Sequence, residues 1–400
     1  MSSQPPERRG AARRFEELDS RRDAGLFREM RDARAAEPRT AVDGEEMLVL
    51  CSNDYLGLAS HDALADAAAE AAREYGTGAG ASRLVSGNLE PHRALEDAMA
   101  ELKGTEAALA FSSGYAANVG TIAALVGDED VVVSDALNHA SIVDGCRSSG
   151  ADVAVYDHAD HEDLEKTLAE VAPVARRTLV VTDSVFSMDG DVAPLDAVCD
   201  AAEAHDALVM IDEAHATGVL GPGGSGEVAA QAVGDRVDVQ LATCSKALGS
   251  QGGVVCADAD VVDLLVNEAR SFVYSTGLSP VDAAVADRAV RLVRGDEGSE
   301  RRARLFDNVE RLADGLGDAG FEVPDVMTQI LPVIVGDPDD AVALDAALER
   351  RGVFAAAIRP PTVPEGTSRI RVSATASHTP EQIDEAVEAF VAAGEEVGVL

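Results

Sequence analysis

The chain has 400 residues, 46% of them hydrophobic, and a formal net charge of −39. That hydrophobic fraction supplies buried cores and excludes a disordered acidic chain. The charge argues against nucleic-acid binding, which depends on cationic contacts to phosphates.

Acidic residues are spread along the whole chain, and only three of the 33 basic residues are lysine: Lys103, Lys166 and Lys246. Such a surface is expected of a protein adapted to high salt, where dense counterions screen self-repulsion. The five cysteines (Cys51, Cys146, Cys199, Cys244, Cys256) are odd in number and form no CxxC pair. Neither a disulfide framework nor a zinc site is therefore expected, and a reducing cytoplasm is. No apolar run approaches a membrane-spanning length.

The N-terminus is arginine-rich, but Glu16, Glu17, Asp19 and Asp23 break the pattern of a transit peptide. Residues 1–50 are expected to form an arm with an amphipathic helix from about Ala11 to Arg34. Residues 51–280 then read as a large domain and 281–400 as a smaller one, within the size range of a two-domain chain. The glycine-rich run Gly76–Ser82 follows a helical stretch, not a strand, which excludes a dinucleotide loop. Strands are predicted at Ala107–Ser113, Val131–Asp135, Val153–Tyr156, Thr178–Ser184, Ala207–Asp212, Val239–Thr243 and Gly252–Ala257. Amphipathic stretches such as Asp160–Val171 and Leu195–His205 lie between them. Continuous apolar strands alternating with helices predict an α/β fold with a mainly parallel sheet covered on both faces. His158 and His161 read as a solvated helix start more readily than as a metal site, and Gly221–Gly224 as a surface turn. After Pro280, helices are predicted around Val281–Val293 and Glu300–Ala319. Short strands follow near Ile330–Val335, Phe354–Ile358 and Arg369–Val372, and a last helix begins near Pro380.

The chemistry-bearing residues fall at strand ends, where ligands sit in such sheets. The strand ending Val209-Met210-Ile211 delivers Asp212, with His215 three residues later. Lys246 follows 34 residues after Asp212, in the small-residue run Ala242–Gly249. A lysine amine can lose its proton and form a Schiff base, which an arginine cannot. A buried carboxylate can keep a pyridine nitrogen protonated, so Asp212, His215 and Lys246 together point to pyridoxal phosphate. In Phe111–Asn118 a strand gives way to a helix start at Ser113-Gly114-Tyr115, a geometry suited to phosphate. His139, in Asn138–Ser141, is placed to stack on a cofactor ring.

These motifs resemble the α-oxoamine synthase family of fold-type I pyridoxal phosphate enzymes. So do Ser52–Leu58, Ser82–Gly87, Val185–Asp191 and Tyr274–Thr276, and the resemblance covers nearly the whole chain. It implies that Lys246 forms the internal Schiff base and later moves protons at the substrate Cα, and that Asp212 pairs with the pyridine nitrogen. His215 and Ser187 would lie near the phenolic oxygen, and His139 on the ring and by the substrate. Gly114, Tyr115 and Thr243 would hold the phosphate, while Thr276 reaches the neighbouring subunit of a homodimer. Arg371 would hold the amino acid carboxylate as a bidentate pair, with Asn53, Arg28 and Thr362 as further substrate contacts. The run Ala357–Pro364 looks most like the member that joins alanine to a pimeloyl thioester, carried by CoA or a carrier protein. Glycine with acetyl-CoA is the rival pair; serine palmitoyltransferase and 5-aminolevulinate synthase match less well. Cys244 departs from the family pattern, which has a bulkier apolar residue there; it removes no catalytic group and leaves the shape of the pocket floor open. An aminotransferase or aldolase on the same fold is disfavoured by the run Ser184–Asp191, and a non-catalytic partner subunit by the presence of Lys246.

Overall fold

The computed structural model describes residues 18–22, 27–325 and 328–400. Residues 18–22 are helical, whereas 27–32 are not. The helix expected up to Arg34 therefore stops short; its parts at 11–17 and 23–26 lie outside the described residues. Local pairing overrides the helical pattern here. Ala33 bridges to Val42, and the Asp32 amide donates to Asp43 Oδ1 at 2.8 Å. Arg31 is held by both Asp43 and Glu349. Asp43-Gly44 turns β1 (Arg39–Val42) back onto β2 (Glu45–Val49), and both turn residues have positive φ, as a tight hairpin requires.

A seven-stranded sheet carries the site. Its strands are β3 (Ala107–Phe111), β4 (Val131–Asp135), β5 (Asp152–Tyr156), β6 (Thr178–Asp183), β7 (Leu208–Asp212), β8 (Val239–Thr243) and β9 (Gly253–Ala257). They lie in the order β3-β9-β8-β7-β6-β4-β5. Only β9 runs antiparallel to its neighbours. Alternate residues of the central strands feed two cores. Leu179, Val181 and Met210 pack with Ile122 and Ile142 from helices Gly114–Leu125 and Ala140–Ser149. Val180, Val209 and Ile211 pack on the other face with Leu164, Leu168 and Val198 from helices His161–Val171 and Leu195–Ala204. Each fully buried Val, Leu or Ile contributes about 1.5–3 kcal/mol, so both faces are strongly specified and the strand ends are held in register.

The C-terminal part opens with helices Pro280–Arg294 and Asp296–Ala319. Next come β10 (Ile330–Gly336), helix Pro338–Glu349, β11 (Val353–Phe354), β12 (Ala356–Ile358), β13 (Ser368–Ser373) and helix Pro380–Val397. The single strand predicted at Phe354–Ile358 is two short strands serving different sheets: β11 pairs with β2, and β12 with β13. Arg369 and Arg371 on β13 reach across to the segment 184–191 that follows β6. Arg369 contacts Asp189, and Arg371 Nε donates to the Ser187 carbonyl. The Thr328 hydroxyl donates to the Gly190 carbonyl at 2.7 Å. The smaller sheet is thereby locked to the rim of the large one.

Candidate active site

The carboxyl ends of β6, β7 and β8 lie side by side, with Asp183 paired to Asp212 and Asp212 to Leu241. A cavity of about 260 Å³ opens there, lined by Gly114, His139, Ser187, Asp212, His215 and Lys246 among others. One wall is the start of helix Gly114–Leu125. Ser113 caps it, accepting the Ala116 N–H at 3.1 Å, which leaves earlier amides of the turn for a ligand. The helix start lies so close to β9 that a Cβ on Gly253 would fall 2.6 Å from Gly114 Cα. Only glycine permits that approach, which brings the Gly114 turn beside Thr243.

Asp212 is buried and accepts two hydrogen bonds, from Asn118 Nδ2 at 2.7 Å and the Ala214 amide at 2.9 Å. Among the described residues it forms no ion pair. Lys246 Nζ lies 3.0 Å from His215 Nε2. Burial pushes the Lys246 pKa below its usual range, against the pull of Asp212 and Asp183. Burial, reinforced by Lys246 and Arg371, also lowers His215 well below the usual imidazole value. The other ring nitrogen of His215 meets the hydroxyl of buried Tyr55 at 2.6 Å. Tyr55 in turn donates to Asn53 Oδ1 at 3.0 Å. That oxygen also accepts Arg371 NH2 at 3.1 Å. The Arg371 guanidinium is buried among neutral oxygens and pairs with no carboxylate among the described residues. Asp183 is buried behind His139 and accepts its amide at 2.7 Å; burial and the neighbouring Asp212 raise its pKa well above the carboxylate range.

The structure thus brings Lys246, Asp212, His215, His139, Ser187, Gly114, Tyr115 and Thr243 to one cavity, and Asn53 and Arg371 to its edge. Tyr115 also directs its hydroxyl to Asp144. Arg28 and Thr362 are brought together elsewhere, in an open hollow of about 450 Å³ with Phe27, Ile358 and Pro360. Thr276 is exposed and does not line the cavity of its own chain. Cys244 is fully buried with Leu58 and Leu248 in the core and does not line the cavity. Of the two histidines expected at a solvated helix start, His161 opens helix His161–Val171 and is exposed, whereas His158 bridges Asp135 at 3.0 Å and Asp191 at 2.8 Å. The turn Gly221–Gly224 is only partly a surface feature, since Gly224 is buried against the Gly218 carbonyl. Sequence reasoning did not assign Tyr55, Asn118, Ser141 or Asp183 to the site. Asp183 had the same signal as Asp212, a carboxylate closing an apolar strand.

This donor set fits pyridoxal phosphate. A helix start beside the Thr243 and Ser245 hydroxyls suits a phosphate, a buried carboxylate without a cation suits a pyridinium, and an amine of lowered pKa suits an aldehyde.

Fold and site define a pyridoxal-phosphate type of transferase, and the sequence matches the aminotransferase class I and II family over residues 45–390; the chain belongs to that family. Two curated relatives are 8-amino-7-oxononanoate synthases. That of Trichlorobacter lovleyi is 48% identical over 96% of this chain and 98% of its own. That of Geobacter metallireducens is 49% identical over the same shares. Among solved structures, a variant of serine palmitoyltransferase from S. paucimobilis with bound PLP-myriocin aldimine superposes with a TM-score of 0.91. It is 32% identical, covering 96% of this chain and 98% of that one.

Proposed function

We propose that the chain is a pyridoxal-phosphate-dependent acyltransferase. It joins L-alanine to a pimeloyl thioester, carried by CoA or a carrier protein, and yields 8-amino-7-oxononanoate, CO2 and the free thiol, a step of biotin biosynthesis. One observation carries the chemistry: a buried carboxylate, Asp212, and a buried guanidinium, Arg371, flank Lys246, and neither has a counterion among the described residues. Burying a charge without a partner is costly, so each of the two is complementary to a ligand charge. The names of the full-length relatives support the choice of alanine and a pimeloyl thioester.

When bound, pyridoxal phosphate supplies a conjugated sink for the electron pair left when Cα loses its proton. The chain's own residues do the rest. The helix start at Gly114 and Tyr115, with Thr243, holds the phosphate. Asp212 keeps the ring nitrogen protonated. Arg371, positioned by Asn53 and the Ser187 carbonyl, binds the amino acid carboxylate. Lys246, its pKa lowered by burial, accepts the Cα proton and later returns one. His215 holds the amine in place through the Tyr55 bond. His139, which lines the same cavity, would cover the ring. The hollow with Arg28 and Thr362 is the approach for the acyl thioester. Exposed Thr276, beside Tyr274 with 75% of its surface exposed, supports a homodimer in which this segment meets the neighbouring cavity.

The test is thiol release by the protein with added pyridoxal phosphate, pairing alanine or glycine with pimeloyl-CoA or acetyl-CoA. Preference for alanine with pimeloyl-CoA is the expected result. Preference for glycine with acetyl-CoA would move the protein to glycine C-acetyltransferase chemistry. Activity retained in millimolar salt would count against the high-salt reading of the surface.

A further inference from the structure

The hydrogen bonds beneath the cavity run in one direction. A carboxylate offers only acceptors, so the 2.7 Å contact between Asp212 and Asn118 must be made by the amide nitrogen. The reversed amide would set oxygen against oxygen. The other N–H of the same amide points to Ser141 Oγ at 2.8 Å. This orientation leaves Asn118 Oδ1 buried with no partner among the described residues, so both donors are committed at the expense of the acceptor. Ser141 Oγ accepts from Asn118, which leaves its one hydroxyl proton for its other neighbour, His139 Nδ1, at 2.7 Å. Nδ1 also faces the Ser141 amide N–H at 3.3 Å, in the capping position of helix Ala140–Ser149.

We propose that Asn118 and Ser141 are positioning residues that hold His139 as the neutral tautomer with its proton on Nε2, Asp212 setting the polarity at the far end. The proposal rests on the reading of this cavity as the cofactor site. Both neighbours of Nδ1 are donors, and the tautomer of an imidazole is set by what its other nitrogen bonds. The charged groups around the ring divide. Burial lowers the His139 pKa, Asp212 opposes that and Lys246 adds to it. Asp183 lies behind the His139 backbone, and His215, on the segment after β7, lines the same cavity. A neutral ring places an uncharged face and a single N–H donor against the cavity, and adds no cation beside Lys246.

The test reads the ring nitrogens of His139 by NMR in nitrogen-15-labelled full-length protein between pH 6 and 9. His139→Asn identifies the signal, and neither substrate nor added cofactor is required. Wild type is expected to show one protonated nitrogen, Nε2, across the range. Ser141→Ala removes the shorter of the two donor contacts to Nδ1 and leaves only the 3.3 Å amide contact, so it should give a mixture of tautomers and an upward shift of protonation of about one pH unit, as expected when a hydrogen bond to the neutral form is lost. Ser141→Thr keeps the hydroxyl and should restore the wild-type pattern. Asn118→Ala removes the donor that orients that hydroxyl and should again give the mixture. An unchanged ring pattern in either folded alanine variant overturns the proposal, as does a wild-type protein with its proton on Nδ1. If the shifts appear as expected but alanine and pimeloyl-CoA release no thiol, the functional reading falls and this one stands.

Discussion

Lys103 and Glu213 form an ion pair whose side chains are both fully shielded from solvent. Lys103 Nζ also donates to the Ser225 carbonyl at 2.7 Å, and the second Glu213 oxygen accepts the Val228 amide at 2.8 Å. Gly226 closes over the carboxylate so tightly that a Cβ there would lie 2.4 Å from Glu213 Oε1. Lys103→Met leaves Glu213 with one backbone donor and no cation. Removing one partner of a buried pair costs about 3–5 kcal/mol, so the variant should lose that much in urea unfolding at fixed salt. Lys103→Met/Glu213→Met leaves no buried charge. Its remaining deficit is the Ser225 carbonyl and the Val228 amide, at about 1–3 kcal/mol each. Because such terms do not add fully, the double variant should regain at least part of the single variant's loss. A single variant within about 1 kcal/mol of wild type, below the range for buried pairs, would refute the reasoning. So would a double variant as unstable as the sum of the two singles, since that would mean no coupling between them.

Lys246→Ala should abolish thiol release and the visible absorbance that bound cofactor gives; full activity would sink the mechanism. Arg371→Leu removes charge-assisted hydrogen bonds worth about 1.5–3 kcal/mol. The KM for the amino acid should rise roughly tenfold to a hundredfold, with the thioester KM nearly unchanged; equal effects on both would contradict the assigned role. His158 supplies a pH test. Although burial works against its charge, the hydrogen bonds to Asp135 and Asp191 hold its pKa at about 10, above the usual ~6.5. Its stabilisation is therefore complete below about pH 6.5 and is lost as pH rises through about 10. The melting-temperature gap between wild type and His158→Gln should shrink over that window, and a gap constant from pH 5 to 10 would be the wrong outcome.

The apolar runs of β4, β6, β7 and β8 made the sheet legible, because strands buried on both faces leave little freedom in composition. The hairpin of β1 and β2 was not anticipated, although Asp43-Gly44 is a strong turn signal; its strands are short and half exposed, so the alternation is weak. Lys246, Asp212 and His215 stood out by chemistry and spacing. Tyr55 and Asn118 lie inside motifs that drew notice, yet their contacts join segments 160 and 94 residues apart in sequence, and no local pattern encodes such a pairing. The same holds for Lys103 and Glu213. Cys244 shows the reverse case: a departure visible in the sequence that the fold turns away from the cavity.

The disposition of the three lysines has a practical consequence for reading the site. Pyridoxal phosphate in excess also condenses with surface amines, and on most proteins that background blurs a titration. Here Lys103 is sealed inside the protein and only Lys166, 71% exposed beside Asp163, presents a side-chain amine outward. Cofactor stoichiometry should therefore be readable directly from absorbance, close to one equivalent per chain. The same scarcity makes Lys166, which does not line the cavity, a nearly unique handle for attaching a dye or a surface through amine chemistry.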